Sequence, residues 1–184
     1  MPTLPTRLLQ PHPAAPGTTV ARLSVDVDCG ADGALHLRYT LQGRLDAMRI
    51  PPPRPPAAVD GLWAHTCCEA FVGVDGTRAY REFNFSPSGE WALYAFADYR
   101  QQVAAPAELP APAIAVQRDA HALVLDVRLD AAALPRGGPL QLGLSAVVES
   151  IDGALSYWAL HHPGPRPDFH HHDAFTLTLP TPRR

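Results

Sequence analysis

The stretch from Phe83 to Leu93 constrains the chain most, because its turn fixes a strand register. Two apolar and aromatic segments flank Ser86-Pro87-Ser88-Gly89-Glu90. Proline presets φ for the second position of a type I turn, and glycine takes a left-handed conformation at low steric cost. The pair predicts a three-residue hairpin loop closed by a G1 bulge. Phe85 then opposes Trp91, Asn84 opposes Ala92, Phe83 opposes Leu93, Glu82 opposes Tyr94 and Tyr80 opposes Phe96. Opposed residues share a sheet face, and faces alternate along a strand. One face therefore carries Phe83, Phe85, Trp91, Leu93 and Ala95, and points to a core. The other carries Tyr80, Glu82, Asn84, Tyr94 and Phe96, which mixes rings with a carboxylate and an amide.

The same period of two recurs elsewhere. Leu23, Val25 and Val27 alternate with Ser24, Asp26 and Asp28, and Leu35, Leu37, Tyr39 and Leu41 alternate again. Ile114 and Val116, then Leu123 to Leu129, Leu140 to Val148, Leu155 to Leu160, and Phe175, Leu177 and Leu179 read as further strands. Gly43 to Ile50 reads as another short strand, and Asp130 to Leu134 as one helical turn. Strand Thr66 to Val74 puts Cys67, Glu69 and Phe71 on one face and Cys68, Ala70, Val72 and Val74 on the other. No segment sustains a helical period. Roughly nine to eleven short strands separated by Gly, Pro and Asp turns predict an all-β, antiparallel sandwich.

With 184 residues the chain suits one domain with a sizeable core. Residues 1–17 are Pro-rich and aperiodic and read as an extended arm, with the sandwich over residues 18–180. Residues 51–58, PPPRPPAA, read as a rigid surface connection, and residues 100–112 as a Pro- and Ala-rich loop. Net charge is −3 and no basic stripe occurs, which argues against nucleic-acid binding. All 15 cations are arginine, a bias expected of a GC-rich genome. No apolar run suits a signal peptide or a membrane span, so the chain is read as cytoplasmic, with no membrane partner. Cys29, Cys67 and Cys68 are an odd set without a CxxC partner, and read as small buried residues rather than disulfides or ligands.

The segments LWAHTCCEAFV, YREFNFSPSGEWALYAF and SYWALHHPGPRPDFHHHDAF resemble the DOMON-like proteins of bacteria, relatives of family 9 carbohydrate-binding modules. The resemblance spans most of residues 18–180. It implies a jelly-roll or immunoglobulin-like sandwich of about ten strands with a ligand site on one sheet. The ligands it implies are sugars or haem. Family 9 modules stack a sugar between two aromatic rings, for which Trp63, Trp91, Trp158 and Tyr94 are available, although the hairpin register turns Trp91 inward. Haem-binding members use methionine with histidine or lysine. This chain has only Met1 and Met48 and no lysine.

Carboxylate, amide and ring together suit sugar hydroxyls and the C–H face of a pyranose. The ligand-binding candidates are Trp63, Glu69, Glu82, Asn84 and Tyr94, with His161, Asp168 and His170 as a rim. Paired sheet carboxylates about 5–10 Å apart would also suit glycoside hydrolysis, but no other feature supports catalysis, and no catalytic residue is assigned. The segment His161 to Asp173 holds His161, His162, His170, His171 and His172 with Asp168 and Asp173, so a haem or divalent metal site there is the alternative. Four breaking residues and the lack of HExxH-type spacing leave its ligands unassigned and no cofactor predicted. A third reading is an interaction scaffold using exposed strand edges or the Pro-rich arm. The expected partner is a small sugar-like molecule.

Overall fold

The structure, a computed structural model, describes residues 4–180. Among these residues thirteen strands form two antiparallel sheets packed face to face. They are β1 (Arg7–Leu8), β2 (Gln10–Pro11), β3 (Val20–Cys29), β4 (Leu35–Gly43), β5 (Cys67–Val74), β6 (Tyr80–Phe85) and β7 (Trp91–Asp98). Then follow β8 (Gln101–Val103), β9 (Ala113–Arg118), β10 (Ala122–Leu129), β11 (Leu140–Glu149), β12 (Leu155–Ala159) and β13 (Leu177–Leu179). The five-stranded sheet has the order β1-β3-β4-β10-β9. The eight-stranded sheet runs β2-β12-β11-β5-β6-β7-β8, and β13 continues along the β11 edge beyond β12. Four 3₁₀ turns are the only helical elements among the described residues, so no described helix is long and apolar enough to cross a membrane.

The predicted hairpin forms as its turn dictates. Gly89 has φ +90°, the Ser86 N–H donates to the Glu90 carbonyl at 2.9 Å, and the Gly89 N–H donates to the Ser86 carbonyl at 2.9 Å. All five expected cross-strand pairs occur. The inward set of both sheets makes one core: Leu23, Val25, Leu37 and Tyr39 meet Ala70, Val72, Phe83, Phe85, Leu142 and Leu144. The Tyr39 hydroxyl crosses the sandwich and donates to the Glu69 carbonyl at 2.8 Å, tying the two layers together directly behind a candidate site residue. Cys67 and Cys68 are buried on opposite faces, and burial raises both thiols' pKa values. All three cysteines are free, and Cys29, read as buried, is only half-buried.

Local expectations differ from the structure at four places. The Pro-rich arm contributes strands to both sheets: Arg7 pairs with Val25 and Pro11 with Trp158, with Leu9 buried between. Gly43 to Ile50 is not a strand but a 3₁₀ turn at Leu45–Ala47 and a bridge from Met48 to Ser150, consistent with its poor alternation. Residues after Tyr99 return as β8 rather than as loop. Phe175 lies outside the last strand and packs on the outer face of the eight-stranded sheet with Phe71, Tyr80 and Phe96. Gly143 makes that packing possible, since a Cβ there would stand 2.7 Å from the Phe175 ring. Asp130 caps the expected turn at Ala131–Ala133 by accepting from the Ala132 N–H at 2.9 Å. The polyproline connection runs along the open half of the β7 edge, where the Trp91 N–H donates to the Ala57 carbonyl and the Val59 N–H to the Trp91 carbonyl. That pairing covers an edge that would otherwise present free backbone groups.

Candidate functional site

The outer face of the eight-stranded sheet carries a cleft of about 1040 Å³. Its floor comes from neighbouring strands: Glu69 and Phe71 from β5, Glu82 from β6, Tyr94 and Phe96 from β7, Val147 from β11 and Tyr157 from β12. Three loop segments raise its walls. One holds Asp60 and Trp63, a second runs through residues 105–109, and the third spans Pro167 to His170. Strand alternation delivers the floor: Glu69 opposes Asn84 on β6 and Ser145 on β11, and Glu82 opposes Tyr94. Glu69 and Glu82 are therefore diagonal neighbours on one face.

Both carboxylates are nearly inaccessible, Glu69 at 2% and Glu82 at 4% exposure. The Asn84 amide donates to Glu82 Oε1 at 2.8 Å, and the Ser145 hydroxyl reaches Glu69 Oε2 at 3.4 Å. Burial pushes the Glu69 carboxyl well up, and the neighbouring Glu82 adds to it. Burial likewise pushes Glu82 up to about 7, against the opposing effects of the Asn84 hydrogen bond and Arg100. Burial thus favours the protonated form of both carboxyls, and a cation brought beside them would favour the charged form.

A chain of contacts fixes His170 above the floor. The Arg100 N–H donates to the Tyr80 hydroxyl at 3.2 Å, and that hydroxyl meets His170 Nδ1 at 2.9 Å. With Arg100 donating to its oxygen, the phenol can donate to Nδ1, an arrangement that would leave the imidazole proton on Nε2. Nε2 stands 3.6 Å from Glu82 Oε2. Burial lowers the His170 pKa to about 4; Arg100 lowers it further and Asp168 opposes. The ring is therefore neutral at pH 7, and its approach to Glu82 is a polar contact rather than an ion pair. Asp168 clasps the loop: it accepts from the Tyr99 hydroxyl at 2.6 Å, Arg100 Nη2 at 3.0 Å and the His170 N–H at 3.2 Å. Burial acts to raise its pKa, but the Tyr99 and Arg100 hydrogen bonds outweigh it and hold the carboxyl low. Arg100 is the one non-glycine residue with positive φ among the described residues, at 53°. On the opposite wall the Tyr94 hydroxyl donates to Asp60, and its pKa is pushed up to about 12 by burial first and by Asp60 second.

Trp63, Glu69, Glu82, Tyr94, Asp168 and His170 thus line one cleft. Asn84 lies just beneath it, fully buried, and orients Glu82. His161 is exposed and lies off the cleft. Trp91 follows the predicted register, yet the sheet edge leaves it half-buried, lining the cleft rather than joining the main core cluster. Sequence reasoning did not select Asp60, Phe71, Arg100, Tyr157 or Phe169. Phe71 was legible, since it shares a strand face with Glu69; the others depend on loop paths and long-range pairing. The histidine segment splits rather than converging. His162 Nε2 contacts the Gln10 carbonyl, His170 contacts Tyr80, and His171 accepts from the Asp173 N–H. Among the described residues no three His, Cys, Asp or Glu side chains come together as metal ligands.

No protein-family model matches the chain, and no curated protein matches its sequence. Among solved structures, the chain is similar to the crystal structure of a candidate carbohydrate-binding protein from Bacteroides uniformis. The TM-score is 0.70 at 17% identity, over 94% of this chain and 85% of that one. At that identity the likeness establishes a shared fold.

Proposed function

We propose that the protein is a non-catalytic saccharide-binding module that takes a sugar or a sugar-containing metabolite in this cleft. The observation that carries the reading is the floor itself, where buried carboxylates lie among the rings of Phe71, Tyr94 and Phe96 beneath a tryptophan rim. Oxygen acceptors hold hydroxyls, and rings pack against pyranose C–H groups. The resemblance to DOMON-like proteins and family 9 modules supports it, as does the description of the structural neighbour. The histidine-loop alternative has less support, because those side chains face different partners.

Trp63 offers a clean test. It is 55% exposed and projects from the 3₁₀ turn at Leu62–Ala64, so its removal costs the fold little. Titration of a panel of mono- and disaccharides by calorimetry should reveal a ligand whose affinity falls about tenfold in Trp63→Ala, a typical effect for loss of a ring contact. An unchanged affinity would place the sugar elsewhere.

A further inference from the structure

Some donors and acceptors of the cleft are engaged within the fold and others are free. The Asn84 amide is engaged by Glu82, the Ser145 hydroxyl by Glu69, the Tyr94 hydroxyl by Asp60, and the Arg100 guanidinium by Asp168. Glu69 Oε1 and Glu82 Oε2 receive no hydrogen bond from any described residue, although both side chains are more than nine-tenths buried and line the cleft. The Asn84 Oδ1 on the same face is also buried without a partner. Glu69 and Glu82 therefore present free acceptors at the floor, while the Trp63 and Trp91 indoles, the Gln102 amide and the Tyr157 hydroxyl line the cleft as donors without a partner among the described residues. His170 Nε2 faces Glu82 Oε2 from 3.6 Å.

Charge points the same way. Among the described residues Arg100 is the one arginine lining the cleft, and its Nη2 is paired with Asp168. The chain has no lysine, and His170 is neutral at pH 7. A buried carboxyl with no cation beside it takes up a proton, and an ammonium drawn in would restore its charge. A neutral hydroxyl both donates and accepts, whereas an ammonium only donates, carries the missing charge, and is attracted to ring faces. Phe71 and Phe96 flank the carboxylates on the strands either side of Glu82.

We infer that the cleft selects a saccharide bearing a protonated amine, an amino sugar, whose ammonium is held by Glu69 and Glu82. The inference rests on the saccharide reading for its ring contacts but adds a charge-selective subsite.

The test compares glucosamine, N-acetylglucosamine, glucose and phenethylamine by calorimetry at pH 7, on the wild-type chain and on Glu69→Gln and Glu82→Gln. Both substitutions preserve side-chain volume and remove a buried charge, so the variants stay folded, which thermal melts verify. The expected result is glucosamine binding at least about tenfold more tightly than glucose or its N-acetyl form, with that advantage lost in each variant. Equal affinities for glucosamine and glucose would overturn the amine subsite and leave the saccharide reading standing. Phenethylamine binding that depends on both glutamates, with no sugar bound, would support the amine subsite and overturn the saccharide reading. Absence of binding by all four compounds would overturn both.

Discussion

On the outer face of the five-stranded sheet, Arg38 meets Asp126 at 3.0 Å and both side chains stay partly in water, at 50% and 33% exposure. On the outer face of the eight-stranded sheet, Glu69 and Glu82 occupy equivalent alternating positions but are buried beneath loops and rings. Sequence patterning is alike in the two places: an apolar residue inward, a charged residue outward. The environments differ because residues 57–64, 105–109 and 167–175 fold over one sheet and leave the other bare. A charge on a solvated face needs little from its neighbours. A charge beneath a covered face takes up a proton, finds a partner or waits for a ligand.

The sharpest way to break this contrast is from below, through the core the sheets share. Phe83 is fully buried on the inner face of β6, and Phe83→Ala should cost about 3–5 kcal/mol in urea unfolding. A much smaller loss would mean that the layers are less tightly packed than described. Next comes the cover itself. Gly143→Ala drives a Cβ to 2.7 Å from Phe175 and should destabilise by about 1–3 kcal/mol, while loosening the Phe175 ring's packing on Phe71, Tyr80 and His172. Unaltered near-ultraviolet circular dichroism in that variant would count against the role given to Phe175.

The pH dependence sharpens the comparison further. In the unfolded chain Glu82 ionises near 4.5, and in the fold near 7. Between those values the unfolded state releases a proton that the folded state retains, so stability falls as pH rises through the window. Below pH 4.5 Glu82 contributes no penalty; above 7 the penalty is complete. Glu82→Gln should therefore raise the melting temperature at pH 8, on the order of 5 °C, and hardly change it at pH 4. The smallest effect belongs to the bare sheet. Asp126→Ala should alter stability by no more than about 0.5 kcal/mol across this range, as is typical of exposed pairs. A large loss there would erase the distinction between the two faces.

Much of this was legible before any coordinates. The Ser86–Glu90 turn set the β6–β7 register, and the register put Glu82, Asn84 and Tyr94 on one face. A hairpin is a local object, and its turn chemistry is written in adjacent residues. Period-two alternation was sufficient for the long strands β3, β4, β10 and β11, each with a buried face. The two- and three-residue strands β1, β2 and β8 are too short to show a period; they exist because an edge stands beside them. The cleft walls were hidden for the same reason. Nothing near Asp60 in the chain signals that it will accept from Tyr94, and nothing near Asp168 signals Arg100. His161 and His170 look alike in sequence, yet only the second lies where Tyr80 can fix it over the cleft.

The central claim is that the covered face of the eight-stranded sheet, and not the bare face of the other, takes the ligand. Amide chemical-shift mapping by nuclear magnetic resonance during titration with the tightest-binding saccharide tests it most directly. Perturbed amides are expected at residues 60–64, at Glu69, Glu82 and Tyr94, and at residues 167–170, with β3, β4, β9 and β10 unmoved. Shifts concentrated on the five-stranded sheet, or at His161 and His162 with the cleft silent, would contradict it.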